Sequence, residues 1–227
     1  MTNVFKALSA LLTYPTAELQ TAAGAIGEAV ARLPDAPARD RLRGRIDEIA
    51  NGDIYDLQER YVLLFDRTRS LSLHLFEHVH GEGRDRGQAM VDLMNLYEKH
   101  GLSIGAAELP DHLPLFLEFL STRPLAEACD LLEQPAHIIA AIGERLRKRD
   151  STYAAIFDAL VSLSVLQPKD ADVLALLGEP DSDPDDFAAL DEAWEDAPVT
   201  FGPEAAGCKD DLIARLRAAK RPAPRAN

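Results

Sequence analysis

The sequence predicts an all-α protein: a single compact helical domain over residues 1–166, followed by an acidic, largely disordered extension over 167–227. Three observations carry this. The chain holds 35 Ala and 33 Leu against 9 Val and 10 Ile, and Ala and Leu lose little on entering a helix while β-branched residues suit strands. Apolar residues recur three and four apart through most of the first 165 positions. At 227 residues, a chain of this size buries roughly 70% of its unfolded surface, so it needs no staples to fold.

Phe5, Leu8, Leu11 and Leu12 mark the first helix, and Pro15 ends it. Ile26, Val30 and Leu33 mark a second, closed by Pro34 and Pro37, and Leu42, Ile46 and Ile49 a third. Asp53 is placed to cap a fourth helix, with Asp56 in its first turn and Leu57, Tyr61, Leu64 and Phe65 on its apolar side. Leu71, Leu73 and Leu75 alternate with Ser72 and His74, which is strand spacing, but the helical surroundings favour helix there. A helix from about Arg84 to His100 follows, with Gly101 as its left-handed stop. Asp111 to Leu120 is short and apolar on nearly every helical face, and Asp111 suits its N-cap, with Pro114 in the first turn. Leu125 to Glu133, Ala136 to Arg149, and a helix capped by Asp150, Ser151 or Thr152 and running to Ser164 complete the domain.

Charge is placed unevenly. The net charge is −14, of which residues 170–208 carry −12 and residues 209–227 carry +4, leaving −6 on the rest. An acidic chain is a poor holder of a phosphate backbone, which argues against nucleic acid, and a better one of a basic polypeptide surface. In the extension, Phe187, Leu190, Trp194 and Phe201 suggest a short docking helix near 187–195. Few burial partners are expected there, so removing residues 170–227 is expected to cost little stability. No apolar run is long enough to span a bilayer, and the N-terminus lacks the basic-then-apolar order of a secretory signal. Cys129 and Cys208 form no paired motif, so both are expected as reduced thiols in a cytosolic setting.

Three segments could carry chemistry. His74-Leu75-Phe76-Glu77-His78 fits the inverted zinc-protease pattern. On a helix His74 and His78 would share a metal and Glu77 would act as base, although a third ligand is not evident. This zinc-dependent hydrolase is the alternative reading. Gly81 to Gly87 is glycine-rich but follows no strand and lacks Gly-Lys-Ser/Thr, so it reads as a loop between helices. The third is Glu108-Leu109-Pro110-Asp111-His112-Leu113-Pro114, where two prolines stiffen the backbone around adjacent Asp and His, next to an apolar helix that is either buried or borders a groove. No nucleophile elbow and no pterin-binding signature are found, so neither acyl transfer nor a resident molybdenum cofactor is expected.

Four motifs in order, Tyr61-Val62-Leu63-Leu64-Phe65-Asp66-Arg67, Ser72 to Gly81, Arg84-Asp85-Arg86-Gly87-Gln88-Ala89-Met90, and Glu108 to Pro114, closely resemble the NarJ family. These are molybdenum cofactor assembly chaperones of respiratory nitrate reductase, within the TorD-like group of redox-enzyme maturation chaperones. The resemblance covers residues 4–165, and Trp194 to Phe201 is similar to the family's extension. It implies a cytoplasmic TorD-like helical bundle with no catalysis and no cofactor of its own. Its implied partner is the apo catalytic (alpha) subunit of nitrate reductase, bound through its N-terminal segment. That subunit is kept competent for molybdenum cofactor and iron–sulfur insertion before it docks at the membrane. Proteins of molybdenum cofactor biosynthesis are further implied partners. Carried over residue by residue, the peptide-binding surface comprises Asp111 and His112 with Glu108 and Pro114 beside them, and Tyr61, Phe65, Phe76 and His78 from the other motifs. A helix laid in an apolar, acid-rimmed groove is the expected mode.

Overall fold

The computed structural model describes residues 2–80, 84–105, 108–164 and 168–178. Among these, helices are joined by short connections, and the one β-type pairing is an isolated bridge. The N-terminal half comprises α1 (Thr2–Leu11), α2 (Ala17–Val30), α3 (Ala36–Asn51) and α4 (Ile54–Tyr61). After a linking stretch come α5 (Glu77–His80), α6 (Arg84–Lys99), α7 (Leu113–Ser121), α8 (Leu125–Leu132), α9 (Ala136–Lys148), α10 (Ala154–Leu163) and α11 (Asp170–Leu177). No helix among the described residues is long and apolar enough to cross a membrane.

Local chemistry sets most boundaries. The side chains of Thr16, Asp35 and Asp53 accept backbone N–H groups of Leu19, Ala38 and Tyr55, satisfying donors that a first turn leaves free. Pro37 lies in the first turn of α3, where no donor is lost, and so opens that helix rather than closing α2. Gly101 ends α6 in the left-handed conformation (φ 78°), with the Leu102 N–H bonded to the Tyr97 carbonyl. Asp150 does the same after α9 (φ 52°), with Ser151 N–H on the Leu146 carbonyl, so it terminates α9 instead of capping α10.

The core runs through the molecule. Phe5, Leu8, Leu11 and Leu12 are fully buried, and α1 packs chiefly on α7. α2 lies on α3, α3 on α10, and α10 on α9. Gly143 allows the last approach: a Cβ there would stand 2.9 Å from the Phe157 Cβ. α7 is apolar on nearly every face because it is central, with Leu113, Phe116, Leu117, Phe119 and Leu120 all buried and Glu118 exposed. α6 buries the side chains of Ala89, Leu93 and Tyr97.

Two stretches depart from the sequence expectation. Residues 72–76 are not helical. A 3-10 turn (Arg69–Leu71) leads into extended backbone that pairs with residues 111–113. In addition, α11 lies inside the stretch expected to be tail, yet it packs on α9, with Leu176 against the core and its carbonyl accepting from Arg145 (2.6 Å). The docking helix expected near 187–195 lies outside the described residues.

Candidate functional site

The site is built on the pairing of two extended segments. His74 and His112 face each other in an antiparallel bridge, with Leu75 N–H donating to the Asp111 carbonyl (3.1 Å) and Leu113 N–H to that of Leu73 (2.8 Å). Alternation then has a physical use: Leu71, Leu73 and Leu75 are buried while His74 is directed toward the surface. Two more side chains pin the proline-flanked turn from other helices. The Tyr97 hydroxyl donates to the Pro110 carbonyl (2.8 Å), and the Ser9 hydroxyl donates to that of Pro114 (2.7 Å).

Asp111 is completely buried. One carboxylate oxygen accepts the Phe76 N–H (3.0 Å), and the other lies 3.3 Å from His74 Nδ1. It therefore caps the 72–76 segment and not α7, whose N-cap is His112 without a side-chain bond. His78, also buried, donates from Nε2 to the Ser72 carbonyl (2.8 Å).

The two facing histidines differ electrostatically. Hydrogen bonding to Asp111 raises the pKa of His74, outweighing its partial burial. Burial lowers that of His112, and the neighbouring His74 charge lowers it further, against the pull of Glu108, Asp111 and Asp66. Their ring centroids are 5.1 Å apart. Glu108 stands 3.6 Å from His112 Nδ1 and is exposed. The two rings are thus shifted in opposite directions, hydrogen bonding to Asp111 favouring the cation at His74 and burial opposing it at His112.

A second cluster holds Tyr61 and Phe65. α4 runs into a π-helical turn (Val62–Asp66), in which Arg67 N–H reaches back to the Val62 carbonyl, and both rings pack on Tyr153. Tyr61 hydroxyl donates to the Leu12 carbonyl (3.1 Å), and burial raises its pKa. The buried Arg45 guanidinium sits 3.6 Å over the Tyr153 ring and pairs with Glu48 (2.9 Å); burial pushes its pKa down to about 10.

Beside the paired segments opens an apolar cleft lined by Leu75, Phe76, Leu93, Leu96, Phe116 and Ile138. Leu131, Gln134 and Pro135 complete its wall between α8 and α9. Its free volume is about 30 Å³. The residues immediately flanking the lining positions in the chain include four carboxylates, Glu77, Asp92, Asp130 and Glu133, and no Lys or Arg.

The structure brings Asp111, His112, Glu108, Pro114, Phe76 and His78 together around the bridge and the cleft, with Glu108 exposed and His112 half-buried. Tyr61 and Phe65 pack together in the aromatic cluster, with Tyr61 in electrostatic reach of Glu108. The zinc-hydrolase alternative loses its geometry. His74 is in extended backbone beside Asp111, while buried His78 binds Ser72, so the two do not share a helical face. Among the described residues no group of three His, Cys, Asp or Glu is placed to hold a metal. Sequence reasoning missed His74 as the partner of Asp111 and missed Leu93 and Leu96 as a cleft wall. The alternation at 71–75 was the available signal for the first.

Residues 14–159 match the family model described as nitrate reductase delta subunit. The chain is 43% identical to the nitrate reductase molybdenum cofactor assembly chaperone NarJ of Escherichia coli K12, over 91% of this chain and 87% of that one. It is 44% identical to the same organism's probable nitrate reductase molybdenum cofactor assembly chaperone NarW, over 67% and 66%. It is 30% identical to the corresponding probable chaperone NarJ of Bacillus subtilis, over 70% and 86%.

Proposed function

The chain belongs to the nitrate reductase delta subunit family, and from that premise we propose that it is a system-specific chaperone for the catalytic subunit of a respiratory nitrate reductase. It works in the cytoplasm, without turnover, and binds the N-terminal segment of the apo catalytic subunit. That keeps the client open to molybdenum cofactor and iron–sulfur insertion and away from its membrane partner. Proteins that deliver the cofactor are its further partners. The observation that carries this reading is 43% identity to a chaperone of that description over nearly the whole of both chains.

The geometry supports a division of labour. Phe76, Phe116, Leu93 and Leu96 offer apolar contact to a client helix, and the flanking carboxylates attract its basic residues. Glu108 and His112 are accessible enough to touch the client. Asp111, Pro114 and His78 act as positioning residues that hold the 72–76 segment against α7. Tyr61 and Phe65 brace the π-turn that leads into that segment.

The test is calorimetric titration of the purified chain with the catalytic subunit's N-terminal peptide. Binding in wild type, with a loss of roughly tenfold or more in Leu96→Glu, is expected, since removal of an apolar anchor costs about 1–3 kcal/mol. No binding in wild type, or equal affinity in the variant, overturns the proposal.

A further inference from the structure

We propose that Arg145 is a positioning residue that couples α11 to the client-binding segment, so that a docked α11 raises affinity for the client and a bound client holds α11 in place; this rests on the peptide-binding reading of residues 72–76. Arg145 stands on α9 with 2% of its surface exposed. Its guanidinium holds two carbonyls from distant parts of the chain. Nη1 donates to Ser70 (2.9 Å), in the 3-10 turn just before the segment, and Nη2 donates to Leu176 (2.6 Å), near the end of α11. One planar fork therefore fixes both carbonyls relative to α9, which a lysine ammonium on a flexible stem does not reproduce.

From Ser70 onward the segment is held at short intervals. His78 holds the Ser72 carbonyl (2.8 Å), the Leu113 N–H holds that of Leu73 (2.8 Å), and Asp111 accepts from the Leu75 and Phe76 N–H groups (3.1 and 3.0 Å). A shift at Ser70 is thus passed along to Phe76, which lines the cleft. At the other end of the fork, α11 is lightly held. None of its residues is fully buried, Leu174 is 65% exposed, and a groove of about 1200 Å³ lies open between it and α3, α9 and α10. Leu176 packs against the core, and its carbonyl is the one that Arg145 holds. An element with so little burial opens locally at low free energy, and whatever steadies the fork shifts that opening.

The test is hydrogen exchange and calorimetry on the full chain. Saturating the wild-type protein with the catalytic subunit's N-terminal peptide is expected to slow exchange of the Val173 and Gly178 amides, which bond to the Lys169 and Leu174 carbonyls, about fivefold. Leu176→Asp is expected to weaken peptide binding by the same factor, because coupling between two sites is reciprocal. It is also expected to speed exchange of the Val173, Leu75 and Leu113 amides while Ile26 on α2 keeps its protection. Leu174→Asp, on the exposed side of α11, is expected to behave as wild type in affinity and in bridge exchange. Arg145→Lys, which keeps the charge without the fork, is expected to match Leu176→Asp. Unchanged α11 exchange on saturation overturns the coupling, and that arm needs no substitution. So does full affinity in Leu176→Asp with Val173 deprotected, or a rise in exchange that is uniform over Leu75, Leu113 and Ile26 and so reports global stability alone. A peptide that binds neither wild type nor variant overturns the chaperone reading instead, and the comparison of Leu75 and Leu113 with Ile26 still decides whether α11 holds the bridge.

Discussion

Asp111 shows how a residue can matter to a binding surface without reaching it. Its carboxylate is fully buried and ties the Phe76 backbone and the His74 ring to the start of α7. Asp111→Ala removes the acceptor and leaves a buried N–H unpaired, so a loss of about 1–3 kcal/mol is expected in urea unfolding. Asp111→Asn keeps one acceptor and should lose less, while the His74 pKa, followed by NMR, should fall toward 6.5. The two histidines make opposite contributions to pH dependence. His74 holds its proton more tightly folded than unfolded, so its contribution is complete below the ordinary value of 6.5 and is lost as pH rises through the higher folded value. His112 is the reverse: its burial opposes the cation, so stability falls as pH drops below 6.5 toward the lower folded value. Relative to wild type, His112→Asn should therefore gain stability on acidification from about pH 8 to about pH 5.5, and His74→Asn should lose it. Parallel profiles in all three proteins would contradict this assignment.

Single elements explain where sequence spacing misled. Leu71, Leu73 and Leu75 have the alternation of a strand, and helical neighbours outweighed it. The extended form prevails because residues 111–113 supply its backbone partners, and those lie about 40 positions away in the chain. At α9 and α10 the decisive feature is a missing side chain. Gly143→Ala would bring a Cβ to 2.9 Å from that of Phe157, and a cost of about 1–3 kcal/mol in unfolding is expected despite alanine's better helix propensity. α11 carries a further expectation. Arg145, buried on α9, donates to the Ser70 carbonyl (2.9 Å) and to that of Leu176. Truncation before Asp170 removes the second acceptor and uncovers apolar surface, so a loss of about 1–2 kcal/mol is expected. Truncation after Gly178 should cost little, and equal midpoints for both would contradict a docked α11.

At the scale of the molecule, charge and packing set what the protein can hold. A net charge of −14 is expected to speed encounter with a basic client segment and to make its affinity fall as salt rises from about 50 to about 300 mM. Calorimetry at both concentrations checks this, and a salt-independent affinity would leave apolar contact as the sole attraction. The bridge is anchored by α1 through Ser9, by α6 through Tyr97 and by Asp111 itself.

The sequence by itself determined the helical class, most helix positions and the motif around Asp111 and His112, because these depend on short-range periodicity, capping and local stiffness. It also held the acidic balance and the family resemblance. Only the tertiary structure decided that Asp111 faces inward to Phe76 and His74, that 72–74 is extended, that Asp150 ends one helix instead of starting the next, and that α11 returns to the domain. Each of those outcomes depends on a partner distant in the chain, or on which of several adjacent polar residues reaches an open backbone group first. Local pattern does not encode either.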